Sequence, residues 1–228
     1  MRQLVKGYLP DIAHMIDILG KLLGSPARVK IMRLFLLNPE MGFENKDVVR
    51  RSKVSVGSAR REVAHLASLG FIKKKSFQKE IGKDTDLAKR RATKKVSGWF
   101  LDTTFPYRSQ VSELLIDADF LHKEDLIARF KAAGKVKLLV VSGVFIKHPL
   151  ARLDILIVGD KLKRTSLETI IKNLEAEIGK ELSYAIFDTN DFVYRVNMYD
   201  KLVRDILDFP HERLIEAKEL STRILQKS

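Results

Sequence analysis

The chain has 228 residues, a net charge of +13, 45% hydrophobic and 31% charged residues, and no cysteine. This composition excludes disordered, collagen-like and low-complexity classes, and the absence of thiols excludes disulfides, cysteine-held zinc, iron–sulfur clusters and a cysteine nucleophile. The length suits two small domains, each able to bury its own core.

The first segment, MRQLVKGYLPDIAHMIDILGKLLG, carries charges through its apolar stretch and has no small-residue cleavage site, so it does not read as a signal peptide. Apolar runs such as Leu138 to Val141 fall far short of the roughly 20 residues a membrane span needs. A cytoplasmic protein with no membrane partner is the expectation. The charge is concentrated: residues 45–95 carry 16 basic and 5 acidic side chains, whereas residues 135–228 carry 16 and 14. A polyanion is therefore expected to meet the first half, and a different partner the second.

From Leu9 to Gly24, apolar residues at three- and four-residue spacing predict an amphipathic helix. Ser25 and Pro26 read as an N-cap and first-turn proline for a buried helix that stops at Asn38-Pro39. A short helix is expected over about 45–51. Ser55 then caps another, with Val63, Leu66 and Leu69 as its core stripe and Gly70 as its left-handed stop. The stretches FIKKKSF and KKVSGWFLD predict two strands of a long basic hairpin. Helices are expected over 106–117 and about 121–133. Beyond Gly134 the pattern changes to strand Val136 to Val141, strand Leu153 to Val158, helix Ser166 to Ile178 and strand Leu182 to Phe187. Thr189 and Asn190 are expected to cap a further helix and Asp200 to start another, before a charged tail.

The helix ending at Gly70 offers Ser55, Val56, Gly57, Ser58, Arg60 and Arg61 at its N-terminal end. Small residues allow close approach to a major groove about 12 Å wide, and arginine bonds guanine edges or phosphate. The hairpin adds Lys73, Lys74, Lys75, Lys79, Lys83, Lys89, Arg90, Arg91, Lys94 and Lys95, suited to backbone phosphates. His65 and Trp99 read as a helix-face and a packing residue, and the scarcity of aromatics over 71–95 favours duplex DNA over RNA.

The segment LLGSPARVKIMRLFLLNPE, then FENKDVVRRSKVSVGSARREVAHLASLGFI and the basic hairpin, resembles the ArsR/MarR-like winged helix-turn-helix transcription factors over about residues 20–102. That resemblance implies a DNA-binding domain, with the extra N-terminal helix completing a homodimer. The segment KVKLLVVSGVFIKHPLARLDILIVGDKL, with the chain onward to about residue 216, resembles the minimal nucleotidyltransferase domain. In that family a Gly-Ser pair holds nucleotide phosphates and an Asp-x-Asp holds metal ions. Here Ser142-Gly143 stands reversed and Arg152-Leu153-Asp154 keeps one acid, against the carboxylates that metal-assisted phosphoryl transfer requires.

The reading is an α+β two-domain chain. Residues 1–117 form a winged helix-turn-helix, mostly α with a β-wing, 118–134 a linker helix, and 135–228 a small α/β nucleotidyltransferase-like domain without transfer activity. No cofactor or metal is expected. Ser142, Gly143 and Asp154 form a candidate nucleotide-binding set, and a nucleotide or protein effector is the partner considered for this half. An active nucleotidyltransferase of toxin–antitoxin type and a non-specific architectural DNA-binding protein are the alternatives.

Overall fold

The computed structural model describes residues 18–81, 92–117, 123–148 and 151–225. The described residues are mixed α/β with two small sheets. Among the described residues, one compact unit gathers 18–117 with 175–180, and the other gathers 123–174 with 181–225.

In the first unit, the helical residues 18–22 (α1) lead to Gly24, whose φ of 80° ends the turn. The Ser25 Oγ accepts from the Arg28 N–H at 3.3 Å, starting α2 (Pro26–Leu36), which buries Val29, Ile31, Met32, Leu34 and Phe35. The reciprocal capping box of Glu44 and Asp47 starts α3 (Asn45–Ser52). Ser55 caps α4 (Val56–Ser68) by accepting from the Ser58 N–H at 3.1 Å. Val63 and Leu66 are buried, but Leu69 is 55% exposed. It occupies the C-cap, where the chain leaves the helix and the three-residue stripe no longer points at the core. Phe43, Phe71, Ile72, Leu101 and Leu115 complete this core.

Strands β1 (Ile72–Ile81) and β2 (Ala92–Leu101) pair antiparallel without a register shift, from Ile72 opposite Leu101 to Ile81 opposite Ala92. Both extend further into the basic stretch than expected from sequence. Away from the body neither face of a hairpin is buried, so no alternation marks the strand. The helix expected over 106–117 forms as α5 (Arg108–Ser112) and a π-helical turn, Glu113–Asp117.

The second unit holds a sheet of order β5-β4-β3-β6, built from β3 (Lys135–Val141), β4 (Ile155–Asp160), β5 (Tyr184–Asp188) and β6 (Glu212–Glu216). The β4/β5 pair is parallel and the other two are antiparallel. Helices α6 (Lys123–Lys131), α7 (Arg164–Ile178) as far as residue 174, α8 (Thr189–Asn197), α9 (Lys201–Asp208) and α10 (Lys218–Leu225) accompany it. Leu138, Val140, Leu156 and Val158 share a core with Phe192, Val203, Ile206 and Leu220.

Two expectations are corrected here. The residue at the N-cap of α8 is Asp188, with Thr189 already helical. The charged tail contains a strand and a helix: Glu212–Glu216 pairs with β3 at the sheet edge, where charged side chains are tolerated and the apolar pattern is weak. Asp200 does start α9, its Oδ1 accepting from the Leu202 and Val203 N–H groups at 2.9 and 3.2 Å.

Candidate nucleic-acid interface

Helix α4 turns Ala59, Glu62, Val63 and Leu66 inward, which leaves Val56, Gly57, Arg60, Arg61, Ala64 and His65 exposed. Val56 is 56% exposed at the helix tip, and a Cβ on Gly57 would meet nothing within 4 Å. This end of the helix is therefore open to close approach. The Ser55 hydroxyl is engaged locally: it accepts from the Ser58 N–H and donates to the Ser58 Oγ at 2.9 Å.

The carboxylates nearby are satisfied by cations of the same unit. Glu62 accepts from the Arg28 Nε at 2.8 Å. Glu44 and Asp47 both hold the Lys79 ammonium, and Lys73 bonds Asp102 at 2.8 Å. Hydrogen bonds from Lys79 and Lys46 hold the Glu44 carboxyl below its usual range. Burial pushes Lys79 down, and its bonds to Asp47 and Glu44 outweigh that and raise it. Neutralising acids inside the unit leaves a cationic outer surface on Arg60, Arg61, Lys74, Lys75, Lys94 and Lys95, all exposed.

The hairpin lysines thus fall into two groups, a division the sequence reading does not draw. Lys73 and Lys79 brace the hairpin to the body. Lys74 and Lys75 lie over the Trp99 and Phe100 rings at 5.9 and 5.8 Å. Lys83, Lys89, Arg90 and Arg91 lie outside the described residues. Trp99 is a brace as well: its Nε1 donates to the Asn45 Oδ1 at 2.8 Å, and its backbone pairs with Phe43.

Three exposed cations outside the sequence reading lie on α3 and the turn after it: Lys46 and Arg50, paired with Glu44 and Asp47 at 3.1 and 3.5 Å, and Lys53. The signal was present, since positions 46 and 50 share one helical face while Asp47, Val48 and Ser52 face inward.

The Lys73 brace has a measurable signature. Hydrogen bonds from Lys73 and then Thr104 push the Asp102 carboxyl down to about 2. Its stabilising contribution is therefore full above the ordinary carboxylate range and fades as pH falls towards 2. A carboxyl-carbon NMR titration should place Asp102 below the usual aspartate range, and Lys73→Ala should raise it only part of the way, because the two Thr104 hydrogen bonds remain.

The second candidate set also comes together, with its polar groups turned on one another. The Asp154 Oδ1 accepts from the Val144 N–H and its Oδ2 from the Ser183 N–H, both at 2.9 Å. The Ser142 Oγ donates to the Pro210 carbonyl at 2.7 Å. Gly143 has a φ of 56°, and a Cβ there would collide with the Asp154 carboxylate. The anion at this turn is the chain's own carboxylate. Arg152 pairs with Asp205 at 2.9 Å. Among the described residues no group of three His, Cys, Asp or Glu is placed to hold a metal ion. Asp154→Ala should cost about 1–2 kcal/mol in urea unfolding, because the Val144 and Ser183 amide donors, both in part-buried bonds, lose their acceptor.

No family model, curated protein or solved structure matches the chain.

Proposed function

We propose that the chain is a sequence-specific duplex-DNA-binding transcriptional regulator. In this reading residues 1–117 act as a winged helix-turn-helix, with α4 in the major groove and the hairpin along the phosphate backbone. The observation that carries it is the pairing of Glu44, Asp47, Glu62 and Asp102 with cations of their own unit, while α4 presents Arg60 and Arg61 beside small residues. That combines an electrostatic footprint with an element of groove-entering size.

Residues 135–228 form a nucleotidyltransferase-like domain that does no transfer chemistry and serves dimerisation or the sensing of a nucleotide or protein effector. Support comes from the two Asp154 oxygens, each already bonded to an amide. As a two-fold dimer the regulator reads an inverted repeat with half-sites about one helical turn apart.

The test is selection of genomic fragments by the purified protein at near-physiological salt, then titration of the enriched site against a random duplex. The expected result is one inverted repeat bound at least about a thousandfold tighter than random DNA. Equal affinity for both would overturn sequence-specific regulation in favour of architectural binding.

A further inference from the structure

The two edges of the four-stranded sheet differ in how they are defended. An edge strand presents unpaired N–H and C=O groups, and proteins guard such edges with charges, prolines, bulges or cover. The β6 edge has these devices. It carries Glu212, Arg213 and Glu216, the register against β3 shifts between Leu139 and Val140, and the ion pairs Arg213–Glu216 and Lys123–Glu212 lie along it. The β5 edge has fewer of them: one charge, Asp188 at its last residue, and no proline or register shift. Its sequence is Tyr184-Ala185-Ile186-Phe187-Asp188, without lysine, arginine or proline, and its register against β4 is unbroken from Tyr184 to Asp188. Among the described residues no strand pairs with its outer side.

We infer that the outer edge of β5 pairs with β5 of a second copy of this chain, antiparallel and two-fold symmetric about Ile186. The strand is complementary to itself in that arrangement and in no other register. Residues directly opposite in an antiparallel pair share a face. Centring on Ile186 sets each Tyr184 across from Asp188 of the other copy, so a phenol O–H donates to a carboxylate on both sides of the axis. Tyr184 is 40% exposed, and Asp188 is exposed with no side-chain bond to its own helix. The same register sets Ala185 against Phe187, small against large, on the face that packs on the core. A shift of two residues would lose both phenol–carboxylate pairs.

Apolar area beyond the strand is available on α8, which packs on β4 and β5 and carries Tyr194, 62% exposed, with Met198 at its C-cap, 61% exposed. Joining the edges would make one eight-stranded sheet and remove the less guarded edge from water. The inference deepens the dimer within the proposed function and does not depend on DNA binding.

The chain has no cysteine, so a single introduced thiol reports on the axis without background. Ile186→Cys places two thiols opposite each other at a separation a disulfide can span. The expected result is a dimer by light scattering at tens of micromolar for the unaltered chain, and near-complete cross-linking of Ile186→Cys under mild oxidation. Ser68→Cys, exposed on α4 of the other unit, should cross-link at least tenfold more slowly. Asp188→Lys should weaken the dimer at least tenfold, and Tyr184→Glu in the same chain should restore it by offering the new lysine a carboxylate. A monomeric unaltered chain overturns the inference, as does a dimer in which the Ile186→Cys variant fails to cross-link while circular dichroism shows its fold intact. Duplex binding by fluorescence anisotropy, run on the same samples, separates the two readings: a monomer that binds its site overturns the edge pairing alone.

Discussion

Arg33→Ala should destabilise the unit containing α2 by about 3–5 kcal/mol, as much as truncating a buried phenylalanine. Arg33 is 1% exposed. Its Nε donates to the Leu115 carbonyl at 2.8 Å and its Nη1 to the Glu177 carbonyl at 3.1 Å. Asn38 extends the same arrangement, its Nδ2 donating to the carbonyls of Leu34 and Gly179 at 2.7 and 2.8 Å.

Two terms oppose each other at this arginine. Burial pushes the guanidinium down to about 10, partly offset by the Glu177 charge. A depression of that size corresponds to about 3 kcal/mol of cost to the charged form at neutral pH. The folded state releases this proton before the unfolded state does, so the penalty is full below about pH 10 and is relieved as pH rises towards the ordinary arginine value. Truncation removes the penalty, but it also strips a donor from two carbonyls and empties the volume of a long side chain. Those losses are the greater.

Arg33→Met, which keeps most of the volume, should recover about half of the loss. Gly179→Ala should fail for a related reason: its φ is 92°, and a Cβ there would lie 2.6 Å from the Arg33 carbonyl carbon and the Leu34 nitrogen. Urea unfolding measures all three variants. A cost below about 1 kcal/mol for Arg33→Ala would mean that the two carbonyl bonds do no more than repay burial of the charge.

The α2–α4 core was legible in the sequence because its signals are local. Ser25-Pro26, Ser55 and Gly70 mark helix ends through a cap bond or a positive φ, and the Val63 and Leu66 stripe follows from helical period alone. What stayed hidden depends on partners distant along the chain. Nothing near Lys79 shows that it meets Glu44 and Asp47, 35 and 32 residues away. Nothing near Arg33 marks it as buried against residues 82 and 144 positions further on. Strand β6 was missed because its burial is only partial, so Leu214 and Ile215 sit between charges rather than alternating with them. The basic block was legible as a total, while its division into braces and outward charges was not.

That division leads to the second large effect. Replacing Lys74, Lys75, Lys94 and Lys95 together with alanine should flatten the salt dependence of duplex binding by about 3–4 units of slope, since each phosphate contact contributes about 0.9. The loss should be equal on the selected site and on random DNA, because in the proposed reading these side chains meet only the backbone. Lys73→Ala with Lys79→Ala should leave the slope nearly unchanged and lower the urea midpoint instead, because both ammonium groups are held by Asp102, Glu44 and Asp47.

Arg60→Ala and Arg61→Ala should behave in a third way, narrowing the gap between the selected site and random DNA by about 1–3 kcal/mol each if they reach base edges. Anisotropy titrations at four salt concentrations distinguish the three patterns. If the Lys73 and Lys79 variants flatten the slope as much as the outward four do, the braces open on DNA and the two groups act as one surface. If the arginine variants weaken both duplexes equally, α4 lies along the backbone, and sequence preference must come from elsewhere in the chain.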